Sequence, residues 1–197
     1  MKQKKTKKDI AFEERMTKQR AKRGYADIDV WNVYRWFYEI ISPMLKQLAN
    51  TGHGFQTLDE KGNYIDKDHL TDNDTEIYAK RWKDTLLHMA SLADEMNEKT
   101  CSMKNPYEKD WRRIQRAFEK KWGEFGRKLL TEEEKKDAKE TENCRMYFPE
   151  DDPIHGDEYR KVWNQYYEYS KKIDKYQDKC KNEFFKLFSK YFWDLWD

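Results

Sequence analysis

Residues 27–49, Asp-Ile-Asp-Val-Trp-Asn-Val-Tyr-Arg-Trp-Phe-Tyr-Glu-Ile-Ile-Ser-Pro-Met-Leu-Lys-Gln-Leu-Ala, constrain the fold more than any other stretch. At about 3.6 residues per turn, Val30, Val33, Phe37, Ile40, Met44 and Leu48 form one apolar stripe. Trp31, Tyr34, Tyr38, Ile41 and Leu45 form a second beside it. A helix that is apolar over more than half its circumference needs other elements around it. At ~200 Å² for each of its five aromatic rings, their burial is worth on the order of 25 kcal/mol as an upper bound. The stretch therefore reads as a central helix over 28–49, and the rest of the chain as helices that cover it.

Composition decides what surrounds that helix. Charged residues make up 40% of the 197 and apolar ones 37%, a balance that means disorder only if the apolar residues are scattered. They fall instead in helical stripes, and with 16% aromatic residues a few large rings can supply the core. Seven glycines and four prolines permit long helices and disfavour a strand-rich fold. The expectation is an all-α chain, a bundle of about four long helices around 28–49. A charged helical protrusion and a basic N-terminal arm complete it. Cys101, Cys144 and Cys180 are odd in number, far apart and without a CxxC pair, which fits thiols in a reducing compartment. No run approaches the ~20 apolar residues that cross a bilayer. A soluble cytoplasmic protein without cofactor or bound metal is expected.

Charge is unevenly placed. Residues 1–23 hold ten Lys/Arg against Asp9, Glu13 and Glu14; that +7, in a chain of net +2, leaves −5 for the remainder. With only a faint apolar face, the segment reads as a mobile, solvated arm. The sharper alternative is a phosphate-binding arm using Lys4, Lys5, Lys7, Lys8, Arg20, Lys22 and Arg23. Beyond it, 24–197 reads as a single helical domain.

In that domain Asp27 is the expected N-cap of the central helix, with Asp29 in its first turn. The two could also serve, with His53, as ligands in a metal-dependent enzyme, but only if further oxygen ligands join them. Pro43 predicts a kink, and Gly52 a left-handed cap. A polar loop over 56–74 carries His69 and a short hairpin about Lys61, Gly62 and Asn63. Tyr78, Trp82, Leu86, Met89, Ala93 and Met96 mark a helix over 75–97. Asn105 and Pro106 open another, whose stripe is Tyr107, Trp111, Ile114, Phe118, Trp122, Phe125 and Leu129. Its outer face carries Arg112, Arg113 and Arg116, candidate nucleic-acid contacts, although the aromatics between them sit at core spacing.

Thr131 and Glu134 form a capping box at the start of a charged protrusion and linker over 131–157. Asp157 is the expected cap of a last helix that can run to the C-terminus. The apolar end of that helix, 184–197, should close on 28–48. Trp193 and Trp196 lie off its stripe and, with His53 and Phe55, are candidate partner contacts.

Arg23, Gly24, Tyr25, Asp27, Asp29, Val30 and Trp31, then Pro43 to Leu48 and His53-Gly54-Phe55, resemble the opening of a family of small uncharacterised bacteriophage and prophage proteins. Trp82, Leu86 and Met89 are similar to that family's central segment, and residues 187–197 to its closing aromatic signature. Gln56 stands where the family usually has proline, and 101–183 resembles nothing in it. The resemblance implies a phage origin and the cytoplasm of the infected host, but no activity and no site residues.

No phosphate-binding glycine loop, HExxH, nucleophile elbow or CxxC pair occurs in the sequence. The expected function is a non-enzymatic accessory protein that binds a host or phage protein, for instance as an inhibitor of a host factor. The alternative is nucleic-acid binding through the N-terminal arm and the basic face of 106–130.

Overall fold

The computed structural model describes residues 6–59, 61–141 and 145–196; Lys4, Lys5 and Cys144 lie outside them. The described chain is all-α. Its helices are α1 (Lys7–Arg23), α2 (Val33–Thr51), α3 (Asp72–Met96), α4 (Glu108–Trp122), α5 (Glu132–Thr141) and α6 (Gly156–Lys190), joined by short 3-10 turns. Contacts divide the chain into two units rather than one domain over 24–197. The first holds Met1–Ser102 and Gln177–Asp197, the second Met103–Tyr176. At 35 residues, about 52 Å, α6 supplies its first part to the second unit and its end to the first.

In the first unit, α2 and α3 run antiparallel. Ser42, midway along α2, donates to Asp94 near the end of α3 at 2.6 Å, and Phe55, just past α2, stacks on Tyr78 near the start of α3 at 5.7 Å. The end of α6 is antiparallel to α3. Gln177 reaches the Glu95 carbonyl at 3.4 Å, His88 meets Glu183 at 2.8 Å, and Tyr191 packs edge-on against Trp82 at 5.5 Å. Between the three helices Leu86, Met89, Ala90, Ala93 and Phe184 are fully enclosed. Phe37 of α2 meets Phe184, Phe185 and Phe188 at 5.7–6.0 Å, so the aromatic end of α6 does pack on the central helix.

The central helix starts later than its pattern predicts. Residues Asp27–Asn32 form a 3-10 turn, and Asn32 (φ −141°, ψ 58°) breaks the helical path before α2 begins. This rotates the buried face onto Tyr38, Ser42, Leu45 and Ala49, at spacings of four, three and four. Val30, Trp31, Val33, Tyr34 and Met44, expected in the core, are exposed. α2 continues through Pro43, which lies on its solvent side. Gly52 ends it in extended backbone (φ −68°) rather than as a left-handed cap. A Cβ there would stand 2.7 Å from the Leu48 carbonyl, and that close approach is what calls for glycine.

Residues 7–23 are a docked helix and not a mobile arm. Thr6 and Asp9 form a capping box, Met16 is buried, and Arg20 clasps Asp29 with two N–H groups at 2.9 and 2.5 Å. The second Asp29 task is to accept the Ala26 N–H at 2.7 Å, so the cap of the 3-10 turn is Asp29. Asp27, expected in that role, is exposed and bonds Gln19 and Arg23 instead. The Arg20 fork holds the Asp29 carboxyl at about 2, against the opposing effect of burial.

The second unit is built on aromatic pairs between antiparallel α4 and α6. Trp111 lies 4.8 Å from Trp163, and Tyr107 lies 6.4 Å from Tyr169. Asn105 accepts the Tyr107 N–H at 3.0 Å and donates to the Tyr166 carbonyl at 2.8 Å, so it caps one helix and ties it to the other. The stripe of α4 stops at Trp122. Phe125 and Gly126 are both left-handed (φ 54° and 65°), which turns the chain and leaves Phe125 exposed. A Cβ on Gly126 would meet Tyr147 Cβ at 2.6 Å and the Phe118 ring at 2.9 Å. α5 keeps the predicted capping box, and Glu134 also accepts the Tyr147 hydroxyl at 2.9 Å, which ties the charged protrusion down.

The turn before α6 is organised by Asp152 and not by Asp157, which sits inside the helix, exposed. Burial raises the Asp152 pKa, but the Trp122 indole N–H and the His155 and Ile154 N–H groups more than offset this and hold it at about 2. α6 ends at Lys190, short of the C-terminus, and a 3-10 turn over Phe192–Asp194 follows.

Two outcomes follow. Gly126→Ala should destabilise the protein by at least ~2 kcal/mol in denaturant titration, since it adds left-handed strain to overpacking. Asp29→Ala should cost ~1–3 kcal/mol, because the Ala26 N–H and Arg20 lose their acceptor. A folded-state pKa below the ordinary ~3.9 stabilises above about pH 4 and loses that stabilisation as pH falls toward 2. Asp29→Asn should therefore flatten this acid limb; an unchanged limb would show that Asp29 does not carry it.

Candidate functional site

The end of the chain carries the most sharply built surface. Asp194 is buried, and its Oδ1 accepts both the Thr57 N–H at 3.1 Å and the Thr57 hydroxyl at 2.7 Å. Its own N–H reaches the Tyr191 carbonyl at 3.0 Å, and Lys190 donates to the Asp59 carbonyl at 3.1 Å. Asp59 and Asn63 in turn close the predicted hairpin, through N–H to carbonyl at 2.8 Å and an isolated antiparallel bridge between Leu58 and Tyr64. The turn is thus clamped between the α3 core and the 57–65 hairpin. A clamped turn leaves its remaining side chains no freedom to fold inward, and Trp193 stands 85% exposed with Trp196 at 71%.

Phe192, half exposed, backs Trp193 edge-on at 5.1 Å and leans on Phe188 at 5.4 Å. Trp196 borders a cleft of about 400 Å³ between α2 and α3, lined by Leu48, Ala49, Gly52, Glu76, Lys80 and Lys83. Two exposed, amphipathic indoles, one of them bordering a cleft with apolar and charged walls, can anchor a protein segment at little entropic cost. His53 is exposed close to this cleft in sequence. Phe55 is committed elsewhere: it stacks on Tyr78, with the Lys67 ammonium 4.7 Å over its face, and supports the loop from behind.

The cations expected to meet nucleic acid divide into two sets. Arg20 and Arg23 are held by Asp29 and Asp27, Arg112 by Glu108, and Arg113 lies 3.6 Å from Asp110. Trp111, Ile114 and Phe118 are buried, so α4 offers no ring for stacking beside exposed Arg116. Lys7, Lys8 and Lys22 are exposed on α1; Lys7 and Lys18 lie opposite buried Met16, and Lys8, Arg15 and Lys22 along one flank.

The α1–α2 cleft, about 550 Å³, contains Arg20, Arg35 and Lys99, yet Asp29 and Glu39 already answer them. Asp27 and Asp29, the candidate metal ligands, face arginines. Among the described residues no cluster of three His, Cys, Asp or Glu could hold a metal ion, and no helix is long and apolar enough to cross a membrane. No protein-family model, curated protein or solved structure matches the chain.

Asp194, Asp152 and the Arg20–Asp29 fork are the residues that sequence reasoning missed. Asp194 lies 137 positions from Thr57, and no local pattern marks such a pair. Asp194→Ala should cost ~1–3 kcal/mol by orphaning the Thr57 donors, whereas Trp193→Ala should stay within ~0.5 kcal/mol. Thermal melts compare them directly; an equal loss for both would mean that Trp193 is part of the core.

Proposed function

We propose that this chain is a non-enzymatic accessory protein that binds another protein through Trp193 and Trp196. The observation that carries this reading is the exposure of both indoles on a turn locked by the buried Asp194–Thr57 pair. Exposed tryptophans are costly on a protein that meets no partner, and they are among the commonest centres of binding energy where one is met. Taken with the resemblance to phage proteins, the partner is a host or phage protein in the cytoplasm of an infected cell, and the action is occupation of that partner's surface.

A second reading, nucleic-acid binding, is favoured by one specific observation: the exposed basic side of α1. Lys8, Arg15, Lys18 and Lys22 recur at helical spacing along it, while the arginines on the inner side are neutralised by Asp27 and Asp29. Phosphate contacts through about four cations would give an affinity that falls with salt at a slope near −4 on logarithmic axes.

One set of measurements separates the two. Affinity capture from infected cells with wild type and with the Trp193→Ala/Trp196→Ala double variant should show a protein partner lost only from the variant. The double variant should keep its melting temperature. Capture that persists in the double variant, but is lost with salt and with Lys8→Glu/Lys18→Glu/Lys22→Glu, would overturn the first reading in favour of the second.

A further inference from the structure

We infer that the face formed by residues 30–34 and the adjoining groove binds a second copy of this chain, with Trp31 of each copy seated in the groove of the other. The surface is separate from the tryptophans at the chain's end, and the inference does not depend on their role. Val33, Tyr34, Phe37, Tyr38, Met96 and Phe185 line a groove of about 480 Å³ in the first unit. The two charged groups at its rim, Lys181 and Asp178, bond each other at 2.5 Å. The groove therefore presents no net charge to an occupant, and what it accepts best is an uncharged ring.

Such a ring stands beside it. Trp31 is 86% exposed and precedes the first groove residue by two positions. A projecting ring two residues from a groove of matching chemistry gives two copies complementary parts that a two-fold axis can pair twice. The Asp29 fork fixes the turn that carries Trp31, so its backbone needs little further ordering on association. With ~150–250 Å² per aromatic ring, Trp31, Tyr34 and Phe185 together with Val30 and Val33 expose several hundred Å². That approaches the ~800 Å² each partner contributes to a standard interface.

Sedimentation equilibrium of the full chain over a wide concentration range tests this. A reversible monomer–dimer equilibrium is expected. Trp31→Ala should raise the dimer Kd by ~30-fold or more, as loss of a central ring does, and Tyr34→Asp should act in the same direction. Trp193→Ala, on the other aromatic surface, should leave the Kd unchanged. Both groove-side positions are exposed, so the monomers of these variants should melt at the wild-type temperature. As a measurement that needs no disruptive change, wild-type tryptophan emission should shift to the blue with dimerisation, and Trp31→Phe should remove most of that shift. A wild type that stays monomeric throughout would overturn the inference. So would a dimer that survives Trp31→Ala and Tyr34→Asp, or one that Trp193→Ala weakens equally.

Discussion

A chain with more charged than apolar residues has to join its helices by something other than a broad hydrophobic core, and here buried aspartates supply the joints. Asp29, Asp152 and Asp194 are each less than a tenth exposed, and each accepts at least one backbone N–H together with a side-chain donor from elsewhere in the chain. A carboxylate removed from water is stable only when its lone pairs are filled, so each of these sites fixes its surroundings with little tolerance. α1, the turn before α6 and the turn after it are positioned by these three residues. Apolar burial then has to hold only the contacts between α2, α3 and the end of α6, and between α4 and the start of α6.

This division of labour explains why rings remain at the surface. Where a carboxylate fixes a turn, the ring next to it has no say in the backbone path. Trp31 follows Asp29 by two residues, and Trp193 immediately precedes Asp194. Both lie on 3-10 turns whose geometry is set by the acid, and both point to solvent. In α3, where no such acid intervenes, the expected ring Trp82 is buried together with Leu86, Met89 and Ala93.

That contrast also marks how far the sequence is legible. Helical class, the course of α3, the capping box at Thr131, the hairpin about residues 57–65 and the exposure of Trp193 and Trp196 can all be read from spacing and local chemistry. The fold-changing errors come from assuming that a stripe continues. Asn32 interrupts the stripe of α2 and turns Trp31 and Val33 outward, while Gly123 and the left-handed Phe125 and Gly126 interrupt that of α4. Docking of α1 was hidden because one buried methionine and one arginine fork achieve it, and neither makes a stripe. The division into two units was not legible either, because α6 is one unbroken pattern whose first part belongs to one unit and whose end belongs to the other.

The two exposed aromatic surfaces differ in what they can recognise. Around Trp31 the groove is apolar with a self-neutralised rim, so it selects for shape and cannot discriminate by charge. Beside Trp196 the cleft carries Glu76 together with Lys80 and Lys83, so charges of both signs line it. That surface can select an occupant by charge pattern as well as by shape, which the neutral groove beside Trp31 cannot. Electrostatic complementarity of this kind acts mainly on specificity and the rate of encounter, whereas the indoles supply the tightness. One aromatic surface therefore selects by shape alone, and the other by shape and charge together.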